Sequence, residues 1–516
     1  MVMRTFGQRL LLAAVLCSAA APNAQAFCGF FVSGADASLT NNASQVVLLR
    51  KGNHTVMSLS NNYQGPPEDF AMVVPVPVVL KQEQVKTLAP DVFTRVDQLS
   101  APRLVEYWEQ DPCYTPPRYM ESEKGGMANE DDGAAPAAQG LAQHYGVKIE
   151  AKFNVGEYQI LVLSAKESNG LETFLRVSKY KLPSGAAAAL APYIRDQMKF
   201  FVAKVDIKKV KKDSHGAVVL SPLRFDFDAP ELRLPVRLGL LNAPSGNSAA
   251  AKQDLIVYIL HPEKRFEVAN YKNVFIPTNL EVSNDVRKSF PAFYAELFDE
   301  TLRRNGNRAV VTEYAWQTTS CDPCPSPPLE ASDLYTLGEE SFAAQANATV
   351  AQPGAPLTVP GKPTQGPVNR NGTMYFGSPP SWVLTRLHAR YDRQNLTEDL
   401  LFRETDSVVG GTGSAESINA SSGPQFLKSG PSTFQGRYII RHYWEGKVLC
   451  KDPRYGIWGG PPGSGYSPGG SGPIEAAQDL ASTPRGKVSL PALIQSELPA
   501  LGIKAKAHPL RPGEKR

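Results

Sequence analysis

The sequence predicts an α+β fold, mainly antiparallel β-sheet with a few helices, arranged as one composite domain or two packed β-rich lobes. Two observations lead there. Short alternating runs bounded by Gly, Asn and Pro recur along the chain, as in Gln45 to Arg50 and Thr55 to Ser60 around Lys51-Gly52-Asn53. Helical periodicity is confined to a few segments, the clearest being Pro291 to Arg304, where Phe290, Phe293, Tyr294, Leu297 and Thr301 share one stripe and Gly306 follows.

Taken in order, Phe27 to Cys113 reads as strand-rich. Asp69 to Val74 is an apolar run that Pro75-Val-Pro77 ends in extended form. A helix is expected at Asp91 to Leu99. A second is expected after Pro102, with Leu104, Tyr107 and Trp108 on one face. Residues 114–143 are rich in Gly, Ala and acidic residues and read as a disordered linker. The second region, 144–458, opens with paired strands at Val147 to Phe153 and Tyr158 to Ser164, turning at Asn154-Val155-Gly156. Helices follow at Gly170 to Tyr180 and Gly185 to Gln197. Strands are expected at Phe200 to Ile207, Asp254 to Leu260, Ala309 to Trp316, Trp382 to Tyr391, Leu400 to Glu404 and Arg437 to Trp444. Low-complexity insertions interrupt this region near 339–371 and 409–431. The Gly/Pro-rich stretch 459–516 is expected to be a disordered tail, with at most a weak helix near Pro491 to Leu501.

At 516 residues the chain can hold two or three domains. Arg4 and Arg9, the apolar Leu10 to Leu16 and the small-x-small Ala24-Gln25-Ala26 compose a secretory signal over residues 1–26, with the mature start at Phe27. Removing the two arginines takes the formal charge from +4 to +2, which leaves no electrostatic case for nucleic-acid binding. No later run approaches the roughly 18 apolar residues of a membrane-spanning helix. The mature protein is therefore expected to be soluble, in the periplasm or outside the cell.

Export leaves Cys28, Cys113, Cys321, Cys324 and Cys450, an odd number in a compartment that favours disulfides. Asp111-Pro-Cys113, Cys321-Asp-Pro-Cys324 and Cys450-Lys-Asp452-Pro453 place cysteines beside Asp-Pro corners, where Asp caps the backbone and Pro fixes φ. Bracing is the favoured role. A Cys28–Cys113 bridge would close about 85 residues, for roughly 4 to 5 kcal/mol in the chain-entropy model. How Cys321, Cys324 and Cys450 pair is left open.

Several separated motifs resemble the bacterial domain-of-unknown-function family 2330. They are Cys28-Gly-Phe-Phe31, Asp69-Phe-Ala-Met-Val-Val-Pro-Val-Pro77, Pro102-Arg-Leu104 with Cys113, Leu171-Glu-Thr-Phe-Leu175 with Lys179-Tyr180, Glu313-Tyr-Ala-Trp316 with Cys321-Asp-Pro-Cys324, and Thr385-Arg-Leu-His388 with Arg390-Tyr391. The resemblance runs from Cys28 to Trp458. It implies export and a mixed α/β fold, and supplies neither a reaction nor a catalytic residue.

Chemistry-bearing patterns are sparse. Cys321-Asp-Pro-Cys324 as a redox dithiol would need a thiolate at a helix N-terminus, and Pro325, Pro327 and Pro328 oppose a helix there. As half a zinc site it lacks a second Cys-x-x-Cys. The seven histidines show no metal-ligand spacing. No nucleophile elbow or phosphate loop is present, so no catalytic, metal or cofactor-binding residue is assigned. Asp69, His388 and His442 are the weak functional candidates, of interest if they converge in a pocket; His388 and His442, both in strand patterns, could face each other. Tyr314, Trp316, Tyr443, Trp444 and Trp458 could form an aromatic platform. The resulting expectation is a non-enzymatic binding or structural protein of the envelope or exterior, whose partner is a glycan, a peptide or an envelope protein. The alternative is an extracytoplasmic enzyme, either a thiol-disulfide exchanger through Cys321 and Cys324 or a hydrolase.

Overall fold

Side-chain alternation along the longest strands sorts the apolar residues into two cores, one on each face of a central sheet. In the computed structural model this sheet has eleven strands. The residues described are 30–32, 43–61, 71–113, 146–178, 180, 182, 185–212, 218–241, 252–342, 381–392, 394–413, 423–462, 471–478, 480 and 483–508.

The N-terminal five-stranded sheet is antiparallel throughout, in the order β1 (Phe30–Val32), β4 (Ala71–Val76), β9 (Lys199–Val205), β8 (Tyr158–Ala165) and β7 (Val147–Val155). The central sheet centres on β2 (Ala43–Lys51), β3 (His54–Asn61), β12 (Leu223–Asp228) and β5 (Val85–Thr87) on one side. On the other side lie β14 (Gln253–His261), β19 (Val383–Tyr391), β18 (Ala309–Gln317), β23 (Thr433–Gln435), β21 (Ser407–Gly410) and β22 (Gln425–Leu427). β16 (Lys272–Phe275) pairs in parallel with β18. A three-stranded sheet joins β13 (Leu232–Leu234), β20 (Leu400–Thr405) and β15 (Arg265–Val268), and β10 (Lys211–Lys212) pairs with β11 (Val218–Val219). A second five-stranded sheet has three parallel strands, β17 (Leu280–Glu281), β24 (Arg437–His442) and β6 (Arg103–Glu109), with β25 (Trp458–Gly459) and β26 (Ile474–Ala476) antiparallel on β6. The chain is α+β and mostly antiparallel, as its sequence predicts.

The layers follow from alternation. Val46, Leu48, Leu255, Val257 and Ile259 point from the central sheet into a core shared with Met72, Val74, Ile160, Phe201 and Ala203 of the N-terminal sheet. Val47, Leu49, Tyr258 and Leu260 point the other way, against α1 (Asp91–Ser100) and α5 (Ala331–Leu337). The far face of the N-terminal sheet is covered by α2 (Ser168–Val177) and α3 (Ala186–Arg195). α4 (Phe290–Arg304) buries its predicted stripe of Phe290, Phe293, Tyr294 and Leu297 against the second five-stranded sheet.

Four expectations need correction. The segment after Pro102 is the strand β6, not a helix. It lies between β24 and β25/β26, with all but one of its residues buried, so burial on both faces overrides the helical spacing of Leu104, Tyr107 and Trp108. The bridge expected at Cys28–Cys113 is Cys113–Cys450. The parallel register of β6 and β24 pairs His442 with Trp108, so both chains leave at the same end and bring Cys113 and Cys450 to a Cα separation of 5.4 Å. Cys321 pairs with Cys324. The tail carries β26, the short helix α6 (Leu490–Leu493) and buried Leu480, Leu490, Ile494 and Leu498 packed with α4, because its scattered apolar residues meet an apolar helix face. Tyr314, Trp316 and Trp458 are buried, so they are core residues rather than a platform. Cys28, Asp69, the stretch 114–143 and most of the insertion 339–371 lie outside the described residues.

Candidate functional site

Two histidine–carboxylate networks concentrate the polar chemistry, one sealed and one open. The sealed one lies between the central sheet and helices α1 and α4. On β19, Arg386, His388 and Arg390 project from the same face at period two. A β-bulge between Thr312 and Tyr314 on β18 displaces Glu313 from the ladder and lets it meet them. Glu313 accepts from Arg386 Nε at 2.6 Å, lies 2.7 Å from His388 Nδ1, and also accepts from Tyr294 Oη. His388 Nε2 lies 3.0 Å from Asp254 on β14. Arg386 Nη1 donates to Asp97 of α1 at 2.7 Å, and Tyr258 Oη donates to the same carboxylate at 2.6 Å. Arg485, from the tail, reaches Asp254 at 3.2 Å and Asp299 of α4 at 2.8 Å; Arg390 donates to Asp299 at 2.6 Å.

The chemistry of this cluster is fixed by its burial. Arg386, His388 and Glu313 have no exposed surface. A neutral imidazole can donate through only one nitrogen, yet both nitrogens of His388 face carboxylate oxygens. The ring is therefore an imidazolium, and burial, which opposes its charge, is outweighed by Glu313 and Asp254, which raise its pKa. Burial likewise pushes the two carboxyls up, but His388 and Arg386 bring Glu313 down to about 2, and Arg485, His388 and Arg390 bring Asp254 to about 2. Four carboxylates (Asp97, Glu313, Asp254, Asp299) then meet three guanidiniums (Arg386, Arg390, Arg485) and one imidazolium, so the formal charges cancel. The Phe298 ring stacks on His388 at 3.9 Å and closes the site to ligands. This is a structural lock.

The open network lies at the C-terminal ends of the parallel strands β6 and β24, the end of a parallel sheet where ligand crevices form. Alternation puts Leu104, Glu106 and Trp108 of β6 on one face, with His442 of β24 opposite Trp108. Glu106 accepts from Arg287 through both carboxylate oxygens, 2.7 Å from Nε to the first, and His442 Nε2 lies 2.8 Å away. Arg287 comes from the 3-10 turn Asn284–Lys288 that leads into α4. The His442 ring stacks on Trp108 at 4.3 Å. The segment 472–473 is tied to β6 by Gly472 N donating to the Glu106 carbonyl at 2.8 Å. A Cβ on Gly472 would fall 2.2 Å from the indole, so only glycine lets that backbone lie flat on Trp108. Leu104, Trp108, Pro461, Pro473 and Ile474 supply apolar walls, and Glu106, Arg287 and Glu475 the polar groups, of a cleft of about 380 Å³.

The chain belongs to a bacterial family. The family model, described as an uncharacterized protein conserved in bacteria (DUF2330), matches residues 22–403. No curated protein and no solved structure matches the chain. Within the matched span lie Glu106, Trp108 and Arg287 of the cleft and all of the sealed network except Arg485; His442, Glu475 and Cys450 lie beyond it.

The candidates named from sequence do not converge. His388 belongs to the sealed network in the central sheet and His442 to the open one in the second five-stranded sheet, so they do not face each other. Cys321 and Cys324 lie between β18 and α5, separated from the helix by three prolines, and Cys321 packs on the core. The loop is pinned by Arg103, which donates to the Pro323 carbonyl at 2.9 Å, and by Gln435, which donates to the Asp322 carbonyl. Neither sulfur is at a helix N-terminus. Among the described residues no group of three or more His, Cys, Asp or Glu is placed to hold a metal ion, and no helix is long and apolar enough to cross a membrane. A second cavity, of about 410 Å³ beside Arg50, Phe266 and Phe402, offers less: Arg50 Nη1 is spent on the Asn53 and Ala229 carbonyls and the Thr55 hydroxyl. Glu106 and Trp108 are hidden in the sequence because the spacing of Leu104, Tyr107 and Trp108 predicts a helix, and Arg287 and Glu475 because they lie far along the chain.

Proposed function

We propose that the protein is exported and acts, without catalysing a reaction, as a binding protein of the bacterial envelope or exterior, taking its ligand in the cleft beside Trp108. The observation that carries this reading is the pairing of Cys113 with Cys450 and of Cys321 with Cys324 in a chain that opens with a signal-like segment. Disulfides persist in oxidising compartments. The first bridge ties the exits of β6 and β24 across 337 residues, so it braces the two strands that carry the cleft. The chain-entropy model credits such a loop with about 6 kcal/mol. In the expected mature chain these pairs leave Cys28 as the one unmatched cysteine.

The test is fractionation of the host followed by mass spectrometry under non-reducing conditions. The expected result is a chain starting at Phe27 in the periplasm or medium, with both disulfides and one alkylatable thiol. Recovery from the cytoplasm with an intact N-terminus and free thiols would overturn export. Turnover of an insulin-type disulfide that is lost in Cys321→Ser would overturn the non-enzymatic role in favour of thiol-disulfide exchange.

A further inference from the structure

We infer that the cleft beside Trp108 takes an organic cation, a primary amine or guanidinium carried on an apolar body, as in a basic side chain of an extended peptide or a free alkylamine. This names the ligand chemistry of the binding site proposed above and rests on that reading. The cleft's volume of about 380 Å³ is that of a small-molecule site. Its apolar walls suit the body of such a ligand.

Charge complementarity decides the head group. Two carboxylates, Glu106 and Glu475, line the cleft against one guanidinium, Arg287. Arg287 is already committed: its Nε and one Nη both donate to Glu106, and that Nη also lies 3.1 Å from His442. Glu475 has no ammonium or guanidinium partner among the described residues. Its place is set by β26, where it pairs with Leu104, two residues before Glu106 on the same face. Glu475 is exposed to solvent at the cleft edge, and partial desolvation, followed by the neighbouring Glu106, pushes its carboxyl pKa up. An anion entering here would meet Glu475 and find Arg287 neutralised. A neutral apolar molecule would strip water from Glu475 without replacing it. A cation satisfies Glu475 and covers the apolar walls at once.

The experiment is calorimetric titration of the full mature protein with acetyl-Leu-Lys-Leu-amide, with n-hexylamine, and with the Gln and Glu counterparts of the peptide. The Lys peptide or the amine is expected to bind saturably, and the tighter of the two identifies the source. Affinity should fall tenfold or more in Glu475→Gln and weaken as salt rises. In mildly acidic buffer, where the raised Glu475 carboxyl is partly protonated, binding should release protons as it ionises, read as an enthalpy that depends on the buffer. Binding of the Gln or Glu peptide as tightly as the Lys peptide would overturn the inference. If that binding is lost in Trp108→Ala, the cleft stands as a binding site and only the cation fails. Unchanged Lys-peptide affinity in Glu475→Gln, or no saturable binding of either cationic probe, would also overturn it; export is judged separately, by fractionation.

Discussion

His388 and His442 occupy similar places, each on a strand, each within 3 Å of a glutamate, each with an aromatic ring stacked on its face. Their surroundings differ completely. His388 has carboxylates on both nitrogens, no exposed surface, and a place in a network drawn from β14, β18, β19, α1, α4 and the tail whose charges cancel. His442 has one carboxylate, is about a fifth exposed, and borders a cleft in which the exposed Glu475 has no cationic partner among the described residues. A histidine–carboxylate contact therefore says little by itself. What separates a lock from a binding site is whether the charges close among themselves or remain open to a newcomer.

The largest expected effect comes from breaking the lock. Arg386→Met leaves Asp97 and Glu313 without their shared cation, and should cost about 3 to 5 kcal/mol in urea unfolding. His388→Leu removes the cation that Glu313 and Asp254 share, leaves the buried layer one negative charge in excess, and should cost a similar amount. Arg287→Met and His442→Leu, made in the open network, should cost about 1 kcal/mol or less. Equal losses in the two sets would erase the distinction. Next in size is Cys113→Ser, expected to cost about 2 to 5 kcal/mol, less than the chain-entropy figure because the reduced unfolded chain keeps residual structure, and to loosen the strand ends that carry the cleft. Cys321→Ser opens only a four-residue loop and should cost less.

pH sharpens the comparison further. Glu313 and Asp254, held near 2, contribute stability that is present above their ordinary values near 4 and lost as pH falls through about 2. His388, raised above 6.5, contributes stability that is complete below 6.5 and lost as pH rises through its folded value. The urea midpoint should therefore fall on both sides of a plateau between about pH 4.5 and 6.5. In His388→Leu the alkaline fall should shrink, whereas in His442→Leu it should persist. The smallest effect belongs to Glu475→Gln, expected to shift stability by about 0.5 kcal/mol or less while changing ligand binding.

Much of the scaffold was legible because local rules and tertiary demands agree. The β2–β3 hairpin turns at Gly52 with positive φ, and α4 buries the stripe its periodicity marks. The lock was half legible: Arg386, His388 and Arg390 alternate inside an apolar strand, a pattern that a surface strand and a buried charge layer share. Their carboxylates come from β14, β18, α1 and α4, brought together by register and by a bulge that no local pattern announces. The cleft was not legible. Leu104, Tyr107 and Trp108 fit a helical stripe, and the decision for strand is made by β24, more than 300 residues away. The same distance hid the Cys113–Cys450 pair, since loop length alone favours neither partner.

The most direct measurement is nitrogen NMR of the imidazole rings in histidine-labelled protein at pH 6.5, assigned with His388→Leu and His442→Leu. A sealed lock requires His388 to carry protons on both nitrogens, with N–H signals protected from solvent exchange, while the His442 ring exchanges freely and shifts when a cationic probe is added. A neutral His388 ring at that pH, or one that exchanges as fast as His442, would contradict the sealed, charge-balanced lock on which the comparison stands.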